Sequence, residues 1–166
     1  VTGLMVPGES GAPPVDLQRF LAHLGRRWIG EAQERGVAFR VQPGFDLPAT
    51  LDVPQVALGR ALGNLIGNAL RHAGGGEVRL AARRLDSGGV AFEVIDEGPG
   101  VPAAVADRVL RPGPRPSAPS ADGHGLGLYI ARDLCAEMGG ALTLANRPGG
   151  GAVATVSLPA APGRPA

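Results

Sequence analysis

Asn64 and Asn68 stand four residues apart in the stretch Asn64-Leu-Ile-Gly-Asn68-Ala-Leu-Arg71-His72. On a helix, positions i, i+4 and i+7 or i+8 share a face, so both amides, Arg71 and His72 can gather there. Two amides beside a cation suit phosphate oxygens and a hydrated divalent metal, although the same stretch also reads as a polar face turned to solvent. A second stretch, Asp96-Glu-Gly98-Pro-Gly100, puts a carboxylate where an apolar strand ends. Such a carboxylate can accept a hydrogen bond from the exocyclic amine of a base, and the glycines let the backbone come close; alone, it is an ordinary Gly/Pro turn. The third stretch, Gly123-His124-Gly125-Leu126-Gly127-Leu128, opens a helical pattern. Helix N-termini present free N–H groups and the positive end of the dipole, and glycines admit phosphates. No strand leads into it, so it is not a dinucleotide fingerprint. A lysine-dependent phosphate loop is excluded, because the chain has no lysine.

The elements that would position these residues follow from periodicity. Leu17, Phe20, Leu21, Leu24 and Trp28 predict an amphipathic helix over about 16–34, with Asp16 as its N-cap and Trp28 in the core. A short strand is expected at 37–41. A second helix follows Asp52, with Val56, Leu62, Leu65, Ile66, Ala69 and Leu70 on its apolar side, and stops at Gly74-Gly75-Gly76. A hairpin is expected over 77–85 and 90–96, its Arg79, Arg83 and Arg84 on a solvated sheet face. Residues 97–125 read as long and mostly irregular, with a helical turn at 103–109; a stretch of that length inside a domain reads as a functional lid or a disordered segment. A third helix over about 126–138 and strands at 141–146 and 152–158 close the domain. The sum is an α/β two-layer sandwich.

Composition bounds the function. With 44% hydrophobic residues and a net charge of +1, the chain can build a core, and charge alone predicts neither nucleic-acid nor membrane binding. Arginine supplies all sixteen positive charges, so many of these residues reflect codon bias rather than function. The single Cys135 excludes an internal disulfide and reads as a buried thiol. No apolar run reaches the roughly 18 residues of a membrane span.

Taken in order, Asn-x-x-x-Asn, Asp-x-Gly-x-Gly, the long Gly/Pro-rich stretch and Gly-x-Gly-Leu-Gly-Leu resemble the ATP-binding catalytic domain of bacterial sensor histidine kinases. The resemblance runs over about 15–159 and implies a Bergerat-type fold, shared with type II topoisomerases and heat-shock chaperones. That fold is a mixed, mostly antiparallel sheet covered on one face by about three helices. Residues 1–14 and 160–166 are then a linker and a tail, and the lid spans about 97–125. By matching positions, the resemblance implies that Asn68 is the Mg²⁺ ligand and Asn64 its helper. Arg71 becomes a phosphate contact, His72 a ring near the nucleotide, and Asp96 the adenine-reading carboxylate between the pocket walls Gly98 and Gly100. Gly123, Gly125, Leu126 and Gly127 become the hinge and phosphate-approach segment, and Arg115 reaches the γ-phosphate.

The implied cofactors are ATP and Mg²⁺. The implied partners are a dimerisation domain carrying the phosphoacceptor histidine and, indirectly, a response regulator, with no nucleic acid and no membrane contact. The implied location is cytoplasmic, whether or not the parent protein is membrane-anchored. ATP-hydrolysing relatives carry a glutamate at the position of Asn64; an amide cannot take a proton from water, which disfavours hydrolysis and leaves phosphoryl transfer. The chain departs from the family pattern in its lid box, where Leu110-Arg111-Pro112-Gly113 lacks both aromatic rings of Phe-x-Pro-Phe. It also lacks a phosphoacceptor box, and His23 reads as a surface or packing residue. The expectation is therefore a catalytic domain cut from a longer kinase. An anti-sigma-type serine kinase and a catalytically weak docking domain of the same fold are the alternatives.

Overall fold

Leu17, Phe20, Leu21 and Leu24 recur at helical spacing, and they form the buried side of helix α1 (Leu17–Glu34). The Asp16 carboxylate caps this helix by accepting the Arg19 N–H at 3.1 Å. These features come from a computed structural model, which describes residues 13–114 and 126–160. Just before α1, strand β1 (Val15–Asp16) pairs antiparallel with β3 (Thr50–Leu51), a two-stranded tie that fixes how the chain enters the domain. The residues are too few to show alternation, so the sequence carries no sign of it.

The main sheet contains β2 (Ala38–Pro43), β4 (Glu77–Arg84), β5 (Val90–Asp96), β6 (Ala141–Asn146) and β7 (Ala152–Leu158), in the order β2-β4-β5-β7-β6. Strands β2 and β4 run parallel, and the other neighbours are antiparallel, which is the mixed, mostly antiparallel sheet expected. Alternation decides which side is covered. Val78, Leu80 and Ala82 are buried, and across the ladder they pair with Asp96, Val94 and Phe92. The opposite side carries ion pairs, Arg79 with Glu77 at 3.4 Å and Arg83 with Glu93 at 3.8 Å, as a solvated face should. Pairs this open contribute little to stability.

Helices α1, α2 (Gln55–His72) and α4 (Gly127–Glu137) cover the buried face, and Leu58, Leu62, Leu65 and Ile66 of α2 are fully sequestered beneath it. A fourth helix, α3 (Ala103–Leu110), occupies the stretch expected to hold only a helical turn. Val105 and Val109, four residues apart, bury one side of it. Two other expectations need correction. Val56 is 75% exposed and contributes nothing to the apolar side of α2, because it stands two residues, about 200° of helical rotation, from the fully buried Leu58 and so faces away from the core. Trp28 is only partly buried; its ring lies against α2 at Gly63 and Gly67, where added Cβ atoms would stand 3.4 Å from it.

Candidate functional site

The sheet register places Asp96, Ala152 and Asn146 in one row across β5, β7 and β6. That row lies at the end of the sheet where α2 finishes. Asp96 is a charged residue only 8% exposed, and Asn68 on α2 is buried to the same degree. Both line one narrow cavity whose other walls are apolar, among them Leu65, Val94, Val101, Leu128, Leu144 and Ala154. An apolar lining with a few convergent polar groups is the usual make-up of a small-molecule site; the cavity here encloses only about 20 Å³, room for one water, so a base enters it only as its walls part.

Asp96 is held by its own loop. One carboxylate oxygen accepts the Gly98 N–H at 2.9 Å, leaving the other oxygen for a ligand. Gly98 is required here because a Cβ would run into the carbonyl oxygen of His72. Gly100 adopts φ +94°, which favours glycine, and a Cβ there would stand 2.6 Å from Asn146 Oδ1. Asn146 then pins the loop: its Oδ1 accepts the Val101 N–H at 2.7 Å and its Nδ2 donates to the Val101 carbonyl at 3.0 Å. Arg147 donates to the Asp96 carbonyl at 3.2 Å. Sequence reasoning missed Asn146 and Arg147, since only the strand register brings them opposite Asp96.

On α2, Asn64 and Asn68 are one turn apart, as their spacing requires. Asn64 Nδ2 donates to the Arg60 carbonyl at 2.9 Å. The side-chain oxygen of Asn68 is buried and has no hydrogen-bond partner. Such an orphan is costly and calls for a reason. His72 Nδ1 lies 2.8 Å from the Asn68 carbonyl oxygen; a carbonyl only accepts, so the proton sits on Nδ1. Arg71 is exposed, with its guanidinium lying back along α2 beside Gly67, and neither it nor His72 lines the cavity.

The third motif contributes the start of α4. Leu126 is the N-cap without a side-chain cap bond, so the first N–H groups of the helix are not taken up by a capping side chain. Gly127 faces Asn64, whose Oδ1 lies 3.4 Å from the position a Cβ would take. Arg115, Gly123 and Gly125 lie outside the described residues.

Among the described residues, no cluster of three or more His, Cys, Asp or Glu could hold a metal. The donor set fits Mg²⁺ all the same. That ion keeps several waters and takes one or two protein oxygens together with substrate phosphates, and the unpartnered Asn68 Oδ1 is a hard oxygen of the kind it selects. The groups the site offers are one carboxylate oxygen of Asp96 beyond its loop bond and the unpartnered Asn68 Oδ1, both in an apolar lining.

Comparison with known proteins bears on the family and the fold. Residues 54–162 match the family described as histidine kinase-, DNA gyrase B-, and HSP90-like ATPase. The signal transduction histidine-protein kinase AfsQ2 of Streptomyces coelicolor is 40% identical over 146 residues, covering 85% of this chain and 25% of its own length. The sensor protein KdpD of Mycobacterium tuberculosis is 41% identical over 150 residues, covering 90% of this chain and 17% of its own. Among solved structures, full-length ShkA in complex with AMPPNP superposes with a TM-score of 0.76 at 33% identity, over 91% of this chain and 31% of that one. The catalytic domain of histidine kinase ThkA, at 21% identity, shares the fold with a TM-score of 0.73 over 89% of this chain and 95% of its own. The chain thus spans about a quarter of the length of AfsQ2 and less of KdpD.

Proposed function

The chain belongs to the histidine kinase-, DNA gyrase B-, and HSP90-like ATPase family, and on that premise we propose that it binds Mg-ATP for transfer of the γ-phosphate to a histidine on a separate dimerisation domain, in two-component signalling. Residues 15–159 form the catalytic domain in this reading. The observation that carries it is the pairing of Asp96 with the orphaned Asn68 Oδ1 in one apolar cavity. The free Asp96 oxygen accepts the adenine amine, Asn68 Oδ1 ligates Mg²⁺, and the open end of α4 at Leu126 and Gly127 meets the phosphates. Bound Mg²⁺ supplies charge neutralisation on the transferred phosphoryl group. Asn64, an amide, positions rather than accepts a proton. That favours transfer to an acceptor over hydrolysis of ATP by water.

A relative named as a histidine-protein kinase favours histidine over serine as the acceptor. The remaining roles extend the same reading: Arg71 reaches a phosphate once its guanidinium swings away from Gly67, His72 packs its ring near the nucleotide, Gly123 and Gly125 admit phosphates, and Arg115 contacts the γ-phosphate. A response regulator is reached only through the acceptor domain. Among the described residues no helix is long and apolar enough to cross a membrane.

The test is to mix this chain with γ-labelled ATP and the dimerisation domain of its parent kinase. Acid-labile label on the acceptor histidine, and none on His23 or elsewhere in this chain, is the expected result. Stable label on this chain alone would contradict it.

A further inference from the structure

Arg132 lies on α4, outside the cavity, with a side chain only 15% exposed. Its Nη1 donates to the carbonyls of Val109 at 3.2 Å and Arg111 at 3.0 Å, and its Nη2 donates to the carbonyl of Gly113 at 2.8 Å. Asp133 accepts from Nε at 2.9 Å and lies 2.8 Å from Nη2. A guanidinium has five N–H donors in a fixed planar fork, and four hydrogen bonds plus the Asp133 ion pair occupy it here. The guanidinium also stands over the Tyr129 ring at 5.2 Å.

Its three carbonyl partners are at and just beyond the C-terminal end of α3. Terminal carbonyls there lack intrahelical partners, and a cation meets the negative end of the dipole. This is the stretch where the resembled domains carry two aromatic rings. Here Leu110 is 38% exposed and Gly113 has no side chain, so neither anchors the segment.

We propose that Arg132 is a positioning residue for nucleotide binding, fastening residues 109–113 to α4 through backbone carbonyls where this chain has no aromatic anchor. Helix α4 is the element whose first residue, Gly127, faces Asn64. A segment fastened to it is therefore held in a fixed relation to the phosphate end of the cavity. The inference rests on the nucleotide reading above.

The test combines three measurements on wild type, Arg132→Met, Arg132→Lys and Asp133→Asn: hydrogen exchange, thermal melting and calorimetric titration with Mg-AMPPNP. Charge-assisted hydrogen bonds are the strong ones, so in Arg132→Met exchange at 109–113 rises and affinity falls roughly tenfold. Melting falls modestly, as the loss of these bonds requires, while exchange in the sheet stays near wild type. Lysine, a point charge with three donors, cannot span three carbonyls, so Arg132→Lys falls between the two and also carries the test should the Met variant fold poorly. Asp133→Asn keeps the carbonyl contacts and stays near wild-type affinity. Unchanged affinity in both Arg132 variants, with wild type binding normally, overturns this inference alone. A wild-type domain that binds no nucleotide overturns the site reading and this inference together.

Discussion

Asn68 separates a ligand-binding role from a structural one. A buried amide that held the fold together would have its oxygen satisfied, and removing it would cost stability. Here the oxygen has no partner. Asn68→Ala therefore changes unfolding free energy by no more than about 1 kcal/mol, because no hydrogen bond of the side-chain oxygen is lost. The same substitution weakens Mg-nucleotide binding and removes its dependence on Mg²⁺; denaturant melts and titrations with and without Mg²⁺ check both halves. Cys135 behaves in the opposite way. Burial pushes its thiol from 9.0 up to about 12, since the thiolate would be desolvated. It should resist alkylating reagents at neutral pH in the folded protein and react on unfolding. The unfolded chain loses this proton first, so the stability that the neutral thiol contributes is complete below about pH 9. It is lost as the pH rises towards about 12. A Cys135→Ser variant lacking that alkaline decline, measured by melts across this range, is the check.

At the scale of elements, the loop from Asp96 to Val101 owes its shape to contacts that come from far along the chain. The Asn146 amide makes two hydrogen bonds to the backbone of Val101, 45 residues away in sequence. Asn146→Ala leaves that N–H and carbonyl without their partner and lowers stability by about 1–2 kcal/mol. Nucleotide affinity falls with it, because Asp96 is no longer held at the end of a fixed loop. Equal affinity in this variant would mean that the Gly98 and Arg147 bonds to Asp96 set the loop without Asn146.

This is also where sequence legibility ended. The shared helix face of Asn64 and Asn68 and the place of Asp96 at a strand end are readable because helical spacing and strand termini are local properties; that Asn64 stays outside the cavity of the other two is not. Asn146 was not, since its value comes from standing opposite Ala152, which stands opposite Asp96. The two-residue strands β1 and β3 were invisible for want of any period to detect. Helix α3 leaves only a faint sequence signal, because prolines at 99, 102, 112 and 114 surround it and its two buried valines make a weak stripe. Trp28 sat on the expected stripe yet emerged between two helices rather than beneath the sheet, a distinction that depends on the glycines of α2.

For the whole molecule, the sheet and helices were legible as a layered α/β domain because alternation in β4 and β5 and the apolar side of α2 agree about which face is covered. Local pattern and global packing point to the same structure, which is the mark of a sequence that specifies one fold. The central claim is that this fold presents an adenine-nucleotide site built on Asp96 and Asn68. Calorimetric titration of the chain with Mg-AMPPNP tests it most directly, with GTP as competitor and Asp96→Asn as control. A site that hydrogen-bonds a particular group rejects an analogue lacking it strongly, and guanine places a carbonyl where adenine has its amine. The account predicts saturable binding that GTP does not displace and that Asp96→Asn weakens at least tenfold, about 1.4 kcal/mol. Binding shared equally by GTP, or unchanged in Asp96→Asn, would contradict it.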